Sequence, residues 1–528
     1  MKKLLRHAIA TAAIGMFLNG AASAETVLRL DEVPVGELDP AKASDYADGI
    51  LMFNIYDTLV VGKQGVPGYD PFLAESWMQD GAAFTFKLRP DVKFQSGNTL
   101  TADDVVFSLD RMKALGSGLS YLFDVVESAE AVDGQTVRFT LKSEYTPFIG
   151  ALTRLPIVDK KLVMANLADG DGEMKDWGQA YLATHSAGTG AYSVVSHNPQ
   201  EQTVMAKNTA YFLPIAAAAP DKVFFRYGLD AASVRAMISK GEHDISSSWL
   251  PPEVLKSLAA EGAQLLTEPG TNGFYIKMNT AKAPFDDVEC RLAVSYAFDY
   301  DVARKMVAIT DTISQAAVST GPIPAGMLGA LPTDQAQARD MDKAREHLAK
   351  CKYDPADTTI ELSWIGEVPL EERFALLMQA NFSELGFKSE IVKVPFALFQ
   401  EQVSNPETTP SISQQYIDNV TGDTDTLLYG QYQSKMGGSW QSPEYLKDEK
   451  VDELLEQGRQ AGDIAEREKI YQALSLHLKE IAPSIFAHDY VPVFAASNRV
   501  TVPALSDDAK RFSVPGYGFA FRLMEMKD

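Results

Sequence analysis

Cysteine, histidine and positive charge are all scarce in this chain. Its 528 residues include two cysteines and seven histidines, too few thiols for a four-cysteine zinc framework or a disulfide-dense scaffold. The histidines are scattered singly, and neither H-E-x-x-H nor G-x-S-x-G nor C-x-x-C occurs. Adjacent His488 and Asp489 on a strand point to opposite faces and form no shared site. No catalytic motif therefore supports a hydrolase, and no cofactor or metal is implied. Lys and Arg number 48 against 71 Asp and Glu, a formal charge of −23. That balance argues against nucleic acid and anionic membrane surfaces as partners. No apolar run reaches the ~20 residues of a spanning helix, and no internal repeat is evident.

What is present is an ordinary globular balance, 46% hydrophobic and 23% charged, with length for at least two lobes. Lys2, Lys3 and Arg6 precede an apolar run from Ala8 to Leu18 and then Ala22-Ser23-Ala24. This predicts a cleaved secretory signal over residues 1–24. No cysteine stands at the cleavage point, so no lipid anchor is expected. Cys290 falls near the start of one predicted helix and Cys351 at the end of another. If those helices pack antiparallel the two form a disulfide; the alternative is two buried free thiols.

The stretch Leu73–Arg111 is the most patterned. Asp80-Gly81 predicts the two positive-φ positions of a hairpin turn, and Phe84, Phe86 and Leu88 alternate with polar residues at the strand period. Thr101 lies three residues before Asp104, a capping pattern for a helix that carries Val105, Leu109 and Met112 on one stripe. Further on, Ile360, Leu362 and Trp364 predict a strand, Glu371–Leu385 a helix closed by Gly386, and Ile391–Val394 a second strand, together a βαβ unit. The polar residues 403–440 read as long loops. Ala168–Gly172 lacks the ligand spacing of a calcium hand, and Gly188-Thr189-Gly190 lacks the residues of a phosphate loop.

The ordered string LAESW, DG, TFKLR, VKF, LTADDV and S-x-x-R in that stretch resembles the signature of family 5 extracytoplasmic solute-binding proteins of ABC importers, the peptide, dipeptide and nickel group. Leu38-Asp39-Pro40, Tyr56-Asp57-Thr58-Leu59, Gly188-Thr189-Gly190-Ala191-Tyr192, Asn208–Tyr211 and Phe274–Thr280 continue the likeness, so it touches the chain from about Leu38 to about Phe494. The resemblance implies an α/β, two-lobe periplasmic-binding-protein fold of the large class, with mixed sheets flanked by helices and a ligand cleft between the lobes. Residues 25–65, 185–275 and 488–528 are expected to form the first-lobe core, 66–184 an extra subdomain, and 276–487 the second lobe. The implied role is non-enzymatic capture of a solute in the periplasm by a monomer that delivers it to ABC permease subunits. Peptides rank first as ligand, oligosaccharides or opines second, nickel or haem third; a chaperone-like role is a further class. For the cleft, Trp249, Tyr416, Asp418, Trp440 and Trp364 are the candidate ligand-binding residues, and Trp77 is structural. Asp418 stands where peptide binders carry the aspartate that pairs with the peptide ammonium, but Gln415 replaces the tryptophan of the usual W-x-x-D-Y. Asp423 and Asp425 are possible substitutes for it.

Overall fold

The computed structural model describes residues 25–268 and 272–527. The signal-like segment 1–24 lies outside the described residues. Strand Val27–Glu32 buries Leu28 and Leu30 and pairs in parallel with Lys222–Tyr227. Gln202–Lys207 and Tyr192–Asn198 extend this sheet antiparallel. Ile245 bridges Leu30 to Ala496, which brings in the ribbon of Gln264–Thr267 and Val493–Ala496. These strands gather in one lobe, to which Val493–Ala496 returns from late in the chain.

The Leu73–Arg111 stretch folds as a hairpin of Ala74–Asp80 and Ala83–Leu88 followed by helix Ala102–Leu115. The turn differs from expectation. Asp80 pairs with Ala83, so Gly81 and Ala82 make the turn and only Gly81 takes a positive φ, +56°. Phe84, Phe86 and Leu88 pack in one cluster with Val105, Leu109 and Met112 of the helix, each buried side chain contributing about 1.5–3 kcal/mol. The Thr101 N–H and hydroxyl both donate to Asp104 at 2.8 Å. Thr136–Leu141 and Val126–Asp133 complete a four-stranded sheet.

The signature residues turn out to be joints between segments. Arg111 meets Asp39 of Leu38-Asp39-Pro40 in a two-pronged buried pair at 2.7 and 2.5 Å and donates to the Trp177 carbonyl at 2.7 Å. Asp57 accepts from Thr189 at 2.6 Å and from Tyr211 at 2.7 Å, so three separated motifs meet at one carboxylate. Burial pushes Asp57 up to about 6 despite both donors. A Cβ at Gly190 would stand 2.4 Å from the Ile55 carbonyl carbon, so only glycine permits that approach.

The second lobe is a six-stranded sheet in the order Ala316–Ala317, Ser484–Tyr490, Asn272–Met278, Ile412–Asp418, Thr359–Ile365, Lys388–Val394. Strand Asn272–Met278 is buried along its whole length. Phe274, Ile276 and Met278 face one core with helices Val288–Ala297 and Leu370–Ser383, whereas Tyr275 faces a second core with Glu449–Gln460 and Ile464–Ile481. The βαβ unit forms as expected, with Thr359–Ile365 parallel to Lys388–Val394. The loop expectation for 403–440 fails, because strand Ile412–Asp418 and helix Thr424–Tyr432 lie inside it. The strand is polar yet central: Gln414 is buried and donates to the Ser363 carbonyl at 3.2 Å. Cys290, in the first turn of Val288–Ala297, is joined to Cys351, just past helix Met341–Leu348, with Cα atoms 4.9 Å apart.

Candidate functional site

Strand Ile412–Asp418 runs through the middle of the second-lobe sheet, and its period of two puts Tyr416 and Asp418 on one side at its end. Tyr416 packs 4.5 Å from Phe274, 4.7 Å from Tyr490 and 5.5 Å from Trp249, ring centre to ring centre. Trp249 lies nearly parallel to Tyr490 at 6.0 Å. Tyr416, Tyr490 and Trp249, with Ser248, Leu250 and Pro251 on one side and Val368, Pro369, Leu370 and Arg373 on the other, line a small pocket of about 40 Å³. At its edge Arg373 pairs with Glu253 of the first lobe at 3.2 Å.

Beyond Asp418 the chain reaches Val420, which lines a second small pocket of about 40 Å³ with Asp45, Phe53, Arg154 and Tyr517. Arg154 donates to the carbonyls of Val420 and Pro515 and lies over the Tyr517 ring at 5.5 Å. Nearby, Tyr69 donates to the Thr421 carbonyl at 3.0 Å and Tyr145 to Asp425 at 2.9 Å, which pins the hairpin subdomain to the second lobe.

Asp418 itself lines neither pocket but stands two residues from Tyr416 of the first and two from Val420 of the second, and no hydrogen-bond donor among the described residues reaches its carboxylate. Burial pushes it up to about 7, reinforced by Glu268 and Asp45 and opposed by Arg154. Glu268 follows the strand Gln264–Thr267 and accepts from the Tyr46 hydroxyl and from the Gly516 N–H at 3.1 Å. Burial raises it too. Asp45 caps helix Tyr46–Ile55 through the Asp48 N–H at 2.8 Å and opens on the second cavity. The arrangement suits a ligand that brings a cationic group between aromatic walls.

Of the residues expected at the cleft, Trp249, Tyr416 and Asp418 come together. Trp440 packs edge-on against Phe396 at 5.8 Å inside the second lobe, and Trp364 is 6% exposed in the core, with the Lys393 ammonium 5.0 Å from its ring. Neither lines the two cavities, because the strand holding Trp364 is covered by helix Leu370–Ser383 and Trp440 fills a gap between two apolar clusters. Asp423 and Asp425 are not free substitutes for Asp418. Arg467 grips Asp423 at 2.8 and 3.1 Å, and Arg459 holds Asp425 at 3.0 Å. Sequence reasoning missed Asp45, Tyr46, Arg154, Glu268 and Tyr490, none of which carries a signal in the linear sequence.

The chain is 26% identical over 471 residues to the dipeptide-binding protein of Escherichia coli strain K12, covering 83% of this chain and 84% of that one. It superposes on an ABC transporter-associated periplasmic binding protein of Helicobacter pylori in complex with the peptide STSA, with a TM-score of 0.80, 22% identity, and coverage of 96% and 99%. A binding protein of A. tumefaciens R10 in complex with agropinic acid gives a TM-score of 0.79 at 21% identity, covering 95% and 99%. The family model described as bacterial extracellular solute-binding proteins, family 5 Middle, matches residues 68–439. With that match spanning most of its length, the chain belongs to the bacterial extracellular solute-binding proteins of family 5.

Proposed function

We propose that this protein captures short peptides in the periplasm and hands them, chemically unchanged, to the permease of an ABC importer. The observation that carries this reading is Asp418, a carboxylate without a donor of its own among the described residues, two residues along its strand from the Tyr416 ring that packs on Trp249 and Tyr490. A peptide ammonium supplies the missing donor, and the aromatic walls take side chains with little sequence preference. The dipeptide-binding relative and the peptide-bound structural neighbour support the same ligand class. Ligand binding shifts an open-to-closed equilibrium, and the closed form docks on the permease. Next to the strand Val493–Ala496, the Glu268 N–H donates to the Pro492 carbonyl at 3.1 Å. The protein acts as a monomer after removal of residues 1–24, without a lipid anchor.

An opine is the second reading, favoured by Gln415 in place of the tryptophan of W-x-x-D-Y and by the agropinic acid complex. An acid is the poorer fit to a cleft whose carboxylates outnumber its cations. Thermal unfolding with dipeptides, opines and oligosaccharides tests the proposal, with chromatography of each ligand afterwards. A dipeptide at a hundred times its Kd stabilises the fold by about 2.7 kcal/mol and is recovered intact. Stabilisation by a different class alone, or recovery of cleaved peptide, contradicts it.

A further inference from the structure

The pocket walled by Trp249, Tyr416 and Tyr490 holds two polar atoms that the fold leaves unused. Gln315 is 1% exposed, and its Nε2 donates to the carbonyls of Ser248 at 3.0 Å and Leu250 at 3.4 Å. Both protons of that nitrogen are thereby committed, which fixes the orientation of the amide and leaves Oε1 buried without a donor among the described residues. The Tyr416 hydroxyl is likewise buried without a partner among them. The neighbouring phenol is engaged, since the Tyr490 hydroxyl donates to the same Ser248 carbonyl at 3.3 Å. Gln315 and Tyr416 line one pocket, so a free acceptor and a free hydroxyl border the same small space. Buried polar atoms left unmatched are costly, and they persist where a ligand completes them.

A charged group is a poor occupant. No carboxylate lines the pocket, and the Arg373 guanidinium at its edge is engaged by Glu253 at 3.2 Å. Glu371, next to Leu370 of the lining, accepts from the Ile365 N–H at 2.7 Å. A charged side chain would find no free counter-ion there. Size narrows the choice further. About 40 Å³ between Trp249, Leu250, Pro251 and Pro369 admits a group of a few heavy atoms and excludes a ring. A hydroxyl on a short stem meets both requirements, because it donates and accepts at one oxygen while its carbon atoms face the apolar wall.

We propose, resting on the peptide reading above, that this pocket is a subsite for a serine or threonine side chain of the peptide, whose hydroxyl donates to Gln315 Oε1 and accepts from the Tyr416 hydroxyl.

Isothermal titration with Ala-Thr, Ala-Val, Thr-Ala, Val-Ala and the disaccharide maltose tests this. Threonine and valine share one shape, so each pair differs by the hydroxyl alone. In at least one order the threonine dipeptide is expected to bind at least about 10-fold tighter than its valine partner, as two hydrogen bonds otherwise left unmade imply. Tyr416→Phe keeps the ring packing and removes one donor, and it lowers that threonine-to-valine ratio by about 5-fold. Equal affinities of threonine and valine dipeptides in both orders overturn the subsite and leave the peptide reading standing, and so does an unchanged ratio in a folded Tyr416→Phe. Binding of maltose with no binding of any dipeptide overturns the peptide reading; the hydroxyl site then stands if Tyr416→Phe weakens maltose and falls if it does not. The wild-type series decides the matter alone if the variant does not fold.

Discussion

Replacing Asp418 with asparagine removes one negative charge from the cleft and almost nothing else. The side chain keeps its size, and no protein hydrogen bond is broken, because no described donor reaches that carboxylate. The loss falls on the ligand. A charge-assisted bond to an ammonium contributes about 1.5–3 kcal/mol, so Kd for a free-amine dipeptide rises about 10- to 150-fold. Two controls isolate the cause. An N-acetylated dipeptide, which has no ammonium, binds both forms equally weakly. The unliganded variant melts no lower than the wild type, since a buried carboxyl pushed up to about 7 contributes no net stability at neutral pH. Calorimetric titration of both ligands against both proteins gives all four constants. A free-amine affinity unchanged within about twofold in a folded Asp418→Asn refutes the assignment of Asp418 as ammonium anchor.

Other consequences follow from the same structure. Because an ammonium is held by the ionised form of Asp418, affinity for Ala-Ala falls as pH drops through 7, by about 25-fold from pH 7.5 to 5.5 for a single site; a flat titration series contradicts this. The unliganded protein behaves oppositely. Asp48, Asp57, Asp418 and Asp489 are all pushed up to about 6 or 7 in the fold, above their unfolded values, so their stabilising contribution is complete below about pH 4 and is lost as pH rises through 6–7. Over that window these groups favour higher stability at the acid end, visible in denaturant unfolding at about pH 5 and pH 8. Arg111→Ala strands Asp39 as a buried unpaired charge and costs about 3–5 kcal/mol, measured as a lower denaturant midpoint; a loss under about 1 kcal/mol contradicts the joint described above. For the Cys290–Cys351 pair, whose loop spans 61 residues, the chain-entropy relation gives about 4 kcal/mol for the cross-link. Thiol titration of the denatured, unreduced protein should find none free, and two titrating thiols would contradict the bond.

Much of the scaffold was legible because its local chemistry and its tertiary role agree. The hairpin alternation of Phe84, Phe86 and Leu88, the Thr101 cap and the Thr359–Val394 βαβ unit each carry their own periodicity. The signature residues were recognisable but their purpose was not: Asp39 and Arg111, or Asp57, Thr189 and Tyr211, meet only after the chain has folded. Strand Ile412–Asp418 was illegible for a different reason. Its serine and glutamines look like loop chemistry, and only the neighbouring strands show that their polar groups are needed inside a sheet. The cleft was legible on its second-lobe side, through Tyr416 and Asp418, and largely hidden on the first-lobe side. Glu268 is a single acid at a strand end, and what marks it is burial beside other carboxylates, which no linear pattern encodes. The tryptophans show the converse: Trp249, Trp440 and, as the weaker candidate, Trp364 are all cleft aromatics by sequence, and packing separates the first from the other two.

The central claim is that this cleft selects short peptides and leaves them unchanged. Its most direct test is mass spectrometry of ligand released by denaturation, after the protein has been equilibrated with an equimolar pool of dipeptides, opines, oligosaccharides and nickel-histidine and then desalted. The account predicts intact dipeptides with free amino termini in the released fraction. Enrichment of a non-peptide from the pool, or recovery of free amino acids in place of dipeptide, would contradict it.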